Sequence, residues 1–109
     1  MAYDEGLAQR IRDVIGSRSD IEEKKMFGGI AFMLNGNMCC GVVKADLCLR
    51  LGKEGTAAAL EETHVRPMDF TGKPLKTMVY VSAKGIADDA DLEAWVERGM
   101  AFAETLPKK

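Results

Sequence analysis

A chain of 109 residues, 47% of them apolar and 29% charged, has the size of one domain and buries roughly two-thirds of its unfolded surface, enough for a core without staples. The formal net charge of −2 opposes a generic nucleic-acid binder, which needs a basic face for phosphates, so nucleic acid is expected only indirectly. There is no apolar run of about 18 residues and the first ten residues are acidic and amphipathic, so neither a membrane span nor a secretory leader is expected, and the cytoplasm is the expected compartment.

Leu7, Ala8, Ile11, Val14 and Ile15 recur at helical spacing. They predict a helix from about Asp4 to Ser17, with Asp4 and Glu5 at its positive end and Gly16-Ser17 closing it. Glu22 to Phe27 reads as an extended segment broken by Gly28-Gly29, where a bulge or sharp bend is expected. Ile30 to Leu34 and Asn37 to Val43 read as strands joined by Asn35-Gly36, the pair a type I′ turn demands because both central residues need positive φ. That turn predicts a register with Leu34 opposite Asn37, Met33 opposite Met38, Phe32 opposite Cys39, Ala31 opposite Cys40 and Ile30 opposite Gly41. If Lys44-Ala45 is a second two-residue turn, Val42 pairs with Leu47 and Cys40 with Leu49. Leu47, Leu49 and Leu51 then mark the inner face of the next strand.

Lys53 to Glu62, with Ala57, Ala58, Ala59 and Leu60, is predicted helical. Val65 to Phe70 reads as a strand that Pro67 confines to an edge or a bulge. Thr71-Gly72-Lys73-Pro74 supplies a turn, and Thr77 to Ser82 is the partner strand. Leu92, Trp95, Val96, Gly99, Phe102, Ala103 and Leu106 share one helical stripe from about Asp88 to Leu106, with three aspartates at its start and Pro107 after it. The order α-β-β-β(-β)-α-β-β-α predicts a single α+β domain over residues 1–109, a two-layer arrangement with helices packed on an antiparallel sheet.

Several of these residues carry a resemblance. Lys25-Met26-Phe27-Gly28-Gly29, Phe32, Asn35-Gly36, Asp46-Leu47-x-Leu49-Arg50, Pro67-Met68-x-Phe70 and the last helix around Trp95 resemble the TfoX/Sxy N-terminal-domain family over nearly the whole chain. The resemblance implies a secretion-chaperone-like α+β fold and, for the family's namesakes, accessory regulation of DNA-uptake competence through transcription. Those namesakes carry a second, C-terminal domain, whereas this sequence is expected to be a stand-alone first domain. The family brings no established catalytic residues.

The predicted register sorts the sheet into two faces. Ala31, Met33, Met38, Cys40, Val42, Leu47, Leu49 and Leu51 would face the helices, leaving Ile30, Phe32, Leu34, Cys39, Val43, Cys48 and Arg50 on the other side. An apolar patch of that size usually marks an interaction surface, and its expected occupant is a protein partner or a second copy; a covering helix or N-terminal segment would instead make it a second core. The three cysteines read as reduced thiols. Zinc is not expected, because adjacent strand residues point to opposite faces and no second ligand pair occurs. No cofactor and no catalytic constellation is expected. His64 reads as a solvated loop histidine, and Gly28-Gly29 lacks the spacing of a phosphate loop. The competing expectation is a small-ligand or thiol-reactive domain in which Cys39 and Cys48 meet on the outer face, with Arg50 lowering a thiol pKa.

Overall fold

In the computed structural model, which describes residues 3–16, 18–26, 28–67 and 76–107, the chain begins with helix α1, Glu5–Ile15. Asp4 caps it, its carboxylate accepting from the Leu7 N–H at 3.0 Å, and Gly16 ends it at φ 68° while its N–H returns to the Arg12 carbonyl. Four strands follow: β1 (Ile21–Met26), β2 (Gly29–Leu34), β3 (Asn37–Val43) and β4 (Asp46–Arg50). Helix α2 (Gly52–Ala59), strands β5 (Val65–Pro67) and β6 (Met78–Val81), a 3-10 turn at Ala83–Ile86 and helix α3 (Asp89–Glu104) complete the chain. Phe27, the expected strand residues 68–70, the Thr71-Gly72-Lys73-Pro74 turn, Ser17 and the Met26 side chain lie outside the description.

The sheet has six antiparallel strands in the order β1-β2-β3-β4-β6-β5. It is an α+β fold with the helices on one face. Leu7, Ala8 and Ile11 of α1, Ala59 of α2 and Leu92, Trp95, Val96, Met100 and Ala103 of α3 share one buried cluster with Ile30, Phe32, Leu34, Cys40, Val42, Leu47, Leu49, Val79 and Val81. The start of the chain is tied to the β3–β4 turn, where the Asp4 N–H donates to the Lys44 carbonyl at 2.7 Å.

Both tight turns form as their residues require. Asn35 and Gly36 take φ of 50° and 85°, and Leu34 faces Asn37 with Met33 facing Met38. Lys44-Ala45 is a two-residue turn, with Val43 opposite Asp46, Val42 opposite Leu47 and Cys40 opposite Leu49. Gly28 adopts φ 72° and Met26 pairs with Gly29, so the glycines mark a reversal between two paired strands.

The bulge lies elsewhere. Beyond Met33–Met38 the register shifts, and Phe32 faces Cys40, Ala31 faces Gly41 and Ile30 faces Val42. The expected partners Cys39, Cys40 and Gly41 are therefore each displaced by one, and Cys39 is the extra residue. The cause is burial. An unbroken register would place Ile30, Phe32 and Leu34 on the side opposite Cys40, Val42, Leu47 and Leu49, splitting the bulkiest apolar groups between two faces. One inserted residue reunites them, and burying each large side chain is worth about 1.5–3 kcal/mol, against about 1 kcal/mol for a disturbed ladder hydrogen bond.

At Cys39 the backbone of α3 lies close against the sheet. A Cβ on Gly99 would stand 2.5 Å from the Cys39 carbonyl oxygen and 3.2 Å from the Leu49 side chain. Only glycine lets the helix backbone lie this near the bulged strand.

Candidate interaction face

The bulge redraws the expected surface. Ile30, Phe32, Leu34 and Cys39, expected to face outward, belong to the helix-side core, where Phe32 is 1% exposed and Leu34 and Cys39 are fully buried. Ala31, Met33 and Met38, expected inward, stand on the opposite side, since they alternate with the core residues of β2 and β3. Val43 and Cys48 keep the side read from their spacing, Val43 packing against the second buried cluster and Cys48 belonging to it. Arg50 is in register with Met78 on β6, but its guanidinium reaches the Phe102 ring of α3 and so leaves the expected surface.

The face without helices is built around Cys48 and Tyr80, which sit opposite each other on β4 and β6 and are 1% and 8% exposed. Met38, Val43 and Met78 pack against this pair and are half-buried, and among the described residues no helix residue belongs to the cluster. Met33, half-buried, lies across from Met38. Charged groups surround the apolar floor. The Arg66 guanidinium lies 4.7 Å above the Tyr80 ring and pairs with Asp46, while Glu22 and Lys24 stand across from Met33 and Ala31 at the β1 side. An apolar centre with a polar rim is the ordinary anatomy of a protein-binding patch.

The thiols do not meet as the competing expectation required. Cys39 and Cys48 lie on opposite sides of the sheet, and all three cysteines are buried. Cys39 and Cys40, expected on opposite faces, both enter the helix-side core because of the bulge, with their sulfurs 3.9 Å apart and the Cys39 thiol donating to the Phe32 carbonyl at 3.3 Å. Contact with Cys39, then burial, pushes the Cys40 thiol well up. Burial pushes Cys48 up to about 12, which keeps the thiol protonated at neutral pH. Arg50 points elsewhere, its guanidinium 5.9 Å from the Phe102 ring. His64 is exposed in the turn before β5 at φ 70°. Among the described residues no group of three or more histidine, cysteine or carboxylate side chains is placed to hold a metal ion, and no helix is long and apolar enough to cross a membrane.

On sequence comparison, the profile of the TfoX N-terminal domain matches residues 13–103. The chain belongs to the TfoX N-terminal domain family. The match begins within α1 and ends in the last turn of α3, so it takes in the whole sheet and the helix that Gly99 seats on it. No curated protein and no solved structure matched the chain.

Sequence reasoning missed Met33, Met38, Met78, Tyr80 and Arg66 as members of this face. The available signal was side-chain bulk. Ile30, Phe32 and Leu34 form the largest apolar alternation in the hairpin, and they had to share a side with Val42, Leu47 and Leu49.

Proposed function

We propose that this TfoX-type domain is a non-catalytic regulatory module of the cytoplasm that binds a protein through the helix-free face of its sheet, in keeping with the regulatory role of the family's namesakes. The observation that carries this reading is the group of half-buried Met38, Met78 and Val43 over Cys48 and Tyr80, extended along the hairpin by half-buried Met33 across from Met38, with no helix residue among the described members. Methionine is unbranched and polarisable, so such a floor adapts to the contour of a partner. The burial of all three thiols, with Cys39 and Cys48 on opposite sides of the sheet, favours binding over thiol chemistry.

The test replaces the apolar cross-strand pair by opposite charges, Met33→Lys with Met38→Glu, which keeps a favourable contact across the hairpin while removing the apolar surface. Partners captured from the native cell extract are identified, purified and titrated against both proteins by calorimetry, with circular dichroism to establish that the variant folds. A partner that binds the wild type and loses at least about tenfold in affinity for the folded variant, roughly 1.4 kcal/mol, supports the reading. Equal binding to both proteins overturns it.

A further inference from the structure

The sheet ends in two edges of different character. β5 spans Val65–Pro67, and proline has no N–H to offer an incoming strand, so that edge is blunt. β1 spans Ile21–Met26, stands at the other end of the sheet, and pairs residue for residue with β2 from Ile21–Leu34 to Met26–Gly29 without a shift. Its residues Glu22, Glu23, Lys24 and Lys25 are exposed. Charges on an edge usually prevent strand pairing. They do so when an incoming strand brings the same sign to the same place; here the sign changes halfway along the strand, and an antiparallel copy of the same strand brings the opposite sign.

We propose that β1 pairs with β1 of a second copy of this chain, antiparallel about a two-fold axis through Glu23, joining two six-stranded sheets into one of twelve. The axis that relates adjacent antiparallel strands is perpendicular to the sheet, so helices stay on one side and only residues of the same face can meet. A register centred on Glu23 places Glu22 opposite the second copy's Lys24 on the helix-free face, twice by symmetry, and Ile21 opposite Lys25 on the helix side. Glu23 then meets its own equivalent, but each Glu23 carboxylate is held by Arg12 through two hydrogen bonds of 2.8 Å. The axis therefore gathers two carboxylates and two guanidiniums with no net charge. The other same-face register that forms two Glu–Lys contacts is centred on Lys24. It opposes Lys24 to its own equivalent, and among the described residues no carboxylate forms an ion pair with Lys24.

This inference does not rest on a partner for the methionine face, and its test leaves Met33 and Met38 unchanged. Sedimentation equilibrium of the full chain is expected to show a mass rising with concentration towards twice 11.9 kDa. Glu22→Lys and Lys24→Glu, each alone, place like charges across the interface at two symmetry-related positions. Each weakens the dimer by about tenfold, with circular dichroism unchanged. The double variant Glu22→Lys/Lys24→Glu exchanges the signs and regains the wild-type dissociation constant. A wild type that stays at the mass of one chain up to about 1 mM overturns the proposal. So does a dimer indifferent to the single changes, or one that the double change fails to restore.

Discussion

On the helix side of the sheet, branched and aromatic side chains with few rotamers, such as Ile30, Phe32, Val42, Leu47, Leu49 and Val79, are sealed under α1 and α3. On the other side, two methionines and a valine, Met38, Met78 and Val43, pack against Cys48 and Tyr80 with no helix residue among the described members of the group. Apart from the bulge at Cys39, the two faces alternate residue by residue along the same strands, so backbone pairing supports both equally and only side-chain bulk distinguishes them. The difference teaches that one face specifies the fold by shape, while the other keeps its apolar groups in a form that tolerates repacking.

The largest contrast should come from neighbours on β2. Phe32→Ala is expected to cost about 3–5 kcal/mol in urea unfolding, because it opens a cavity in the sealed core. Met33→Ala, one residue on and half-buried, is expected to cost about 1 kcal/mol or less. Comparable losses at both positions would mean that the second face is as tightly packed as the first.

A smaller effect probes how the sealed face is closed. Gly99→Ala places a methyl 2.5 Å from the Cys39 carbonyl oxygen, and the helix must lift from the bulged strand, at about 1–3 kcal/mol. Alanine has the better helix propensity by about 1 kcal/mol. A stabilised variant would therefore show that α3 does not sit this close to the sheet.

The smallest effect concerns the floor of the other face. Folded Cys48 holds its proton to about 12, against an ordinary value of 9.0. Above pH 9 the unfolded chain thus binds fewer protons than the folded one, and stability falls as pH rises between those limits. At pH 10 this thiol alone should remove about 1.4 kcal/mol of the stability present at pH 7. Cys48→Ala should lose that much less over the same interval. Cys40 is shifted in the same direction, first by contact with Cys39 and then by burial, with Cys48 the last of its causes, so its contribution changes little between the two proteins. Parallel stability curves for the two proteins would show that Cys48 is open to water.

The helices, both two-residue turns and the order of elements were legible because each rests on local chemistry: the apolar stripe of α3, the cap at Asp4, and the positive φ values of Asn35 and Gly36. The side each strand residue takes was legible along β4 for the same reason, since Lys44-Ala45 sets its register without interruption. Of the bulge or sharp bend expected at Gly28-Gly29 the bend is what forms; the reading failed along β2 because no bulge was expected inside the hairpin, and one formed at Cys39, a residue with no special backbone preference. What places it there is non-local, the demand of α3 and the leucines of β4 for Phe32 and Ile30 on their side.

Cys39 and Gly99 are 60 positions apart in sequence, and their contact has a consequence for the order in which the chain can assemble. The Asn35-Gly36 hairpin closes a short loop and can form while the polypeptide is still being synthesised, but nothing local decides which side of it turns inward. α1 precedes the hairpin and shares its core, but the inward side is sealed fully only once α3 has been made, so part of that surface stays wet while the intervening residues are synthesised, and a chaperone can engage it in that interval.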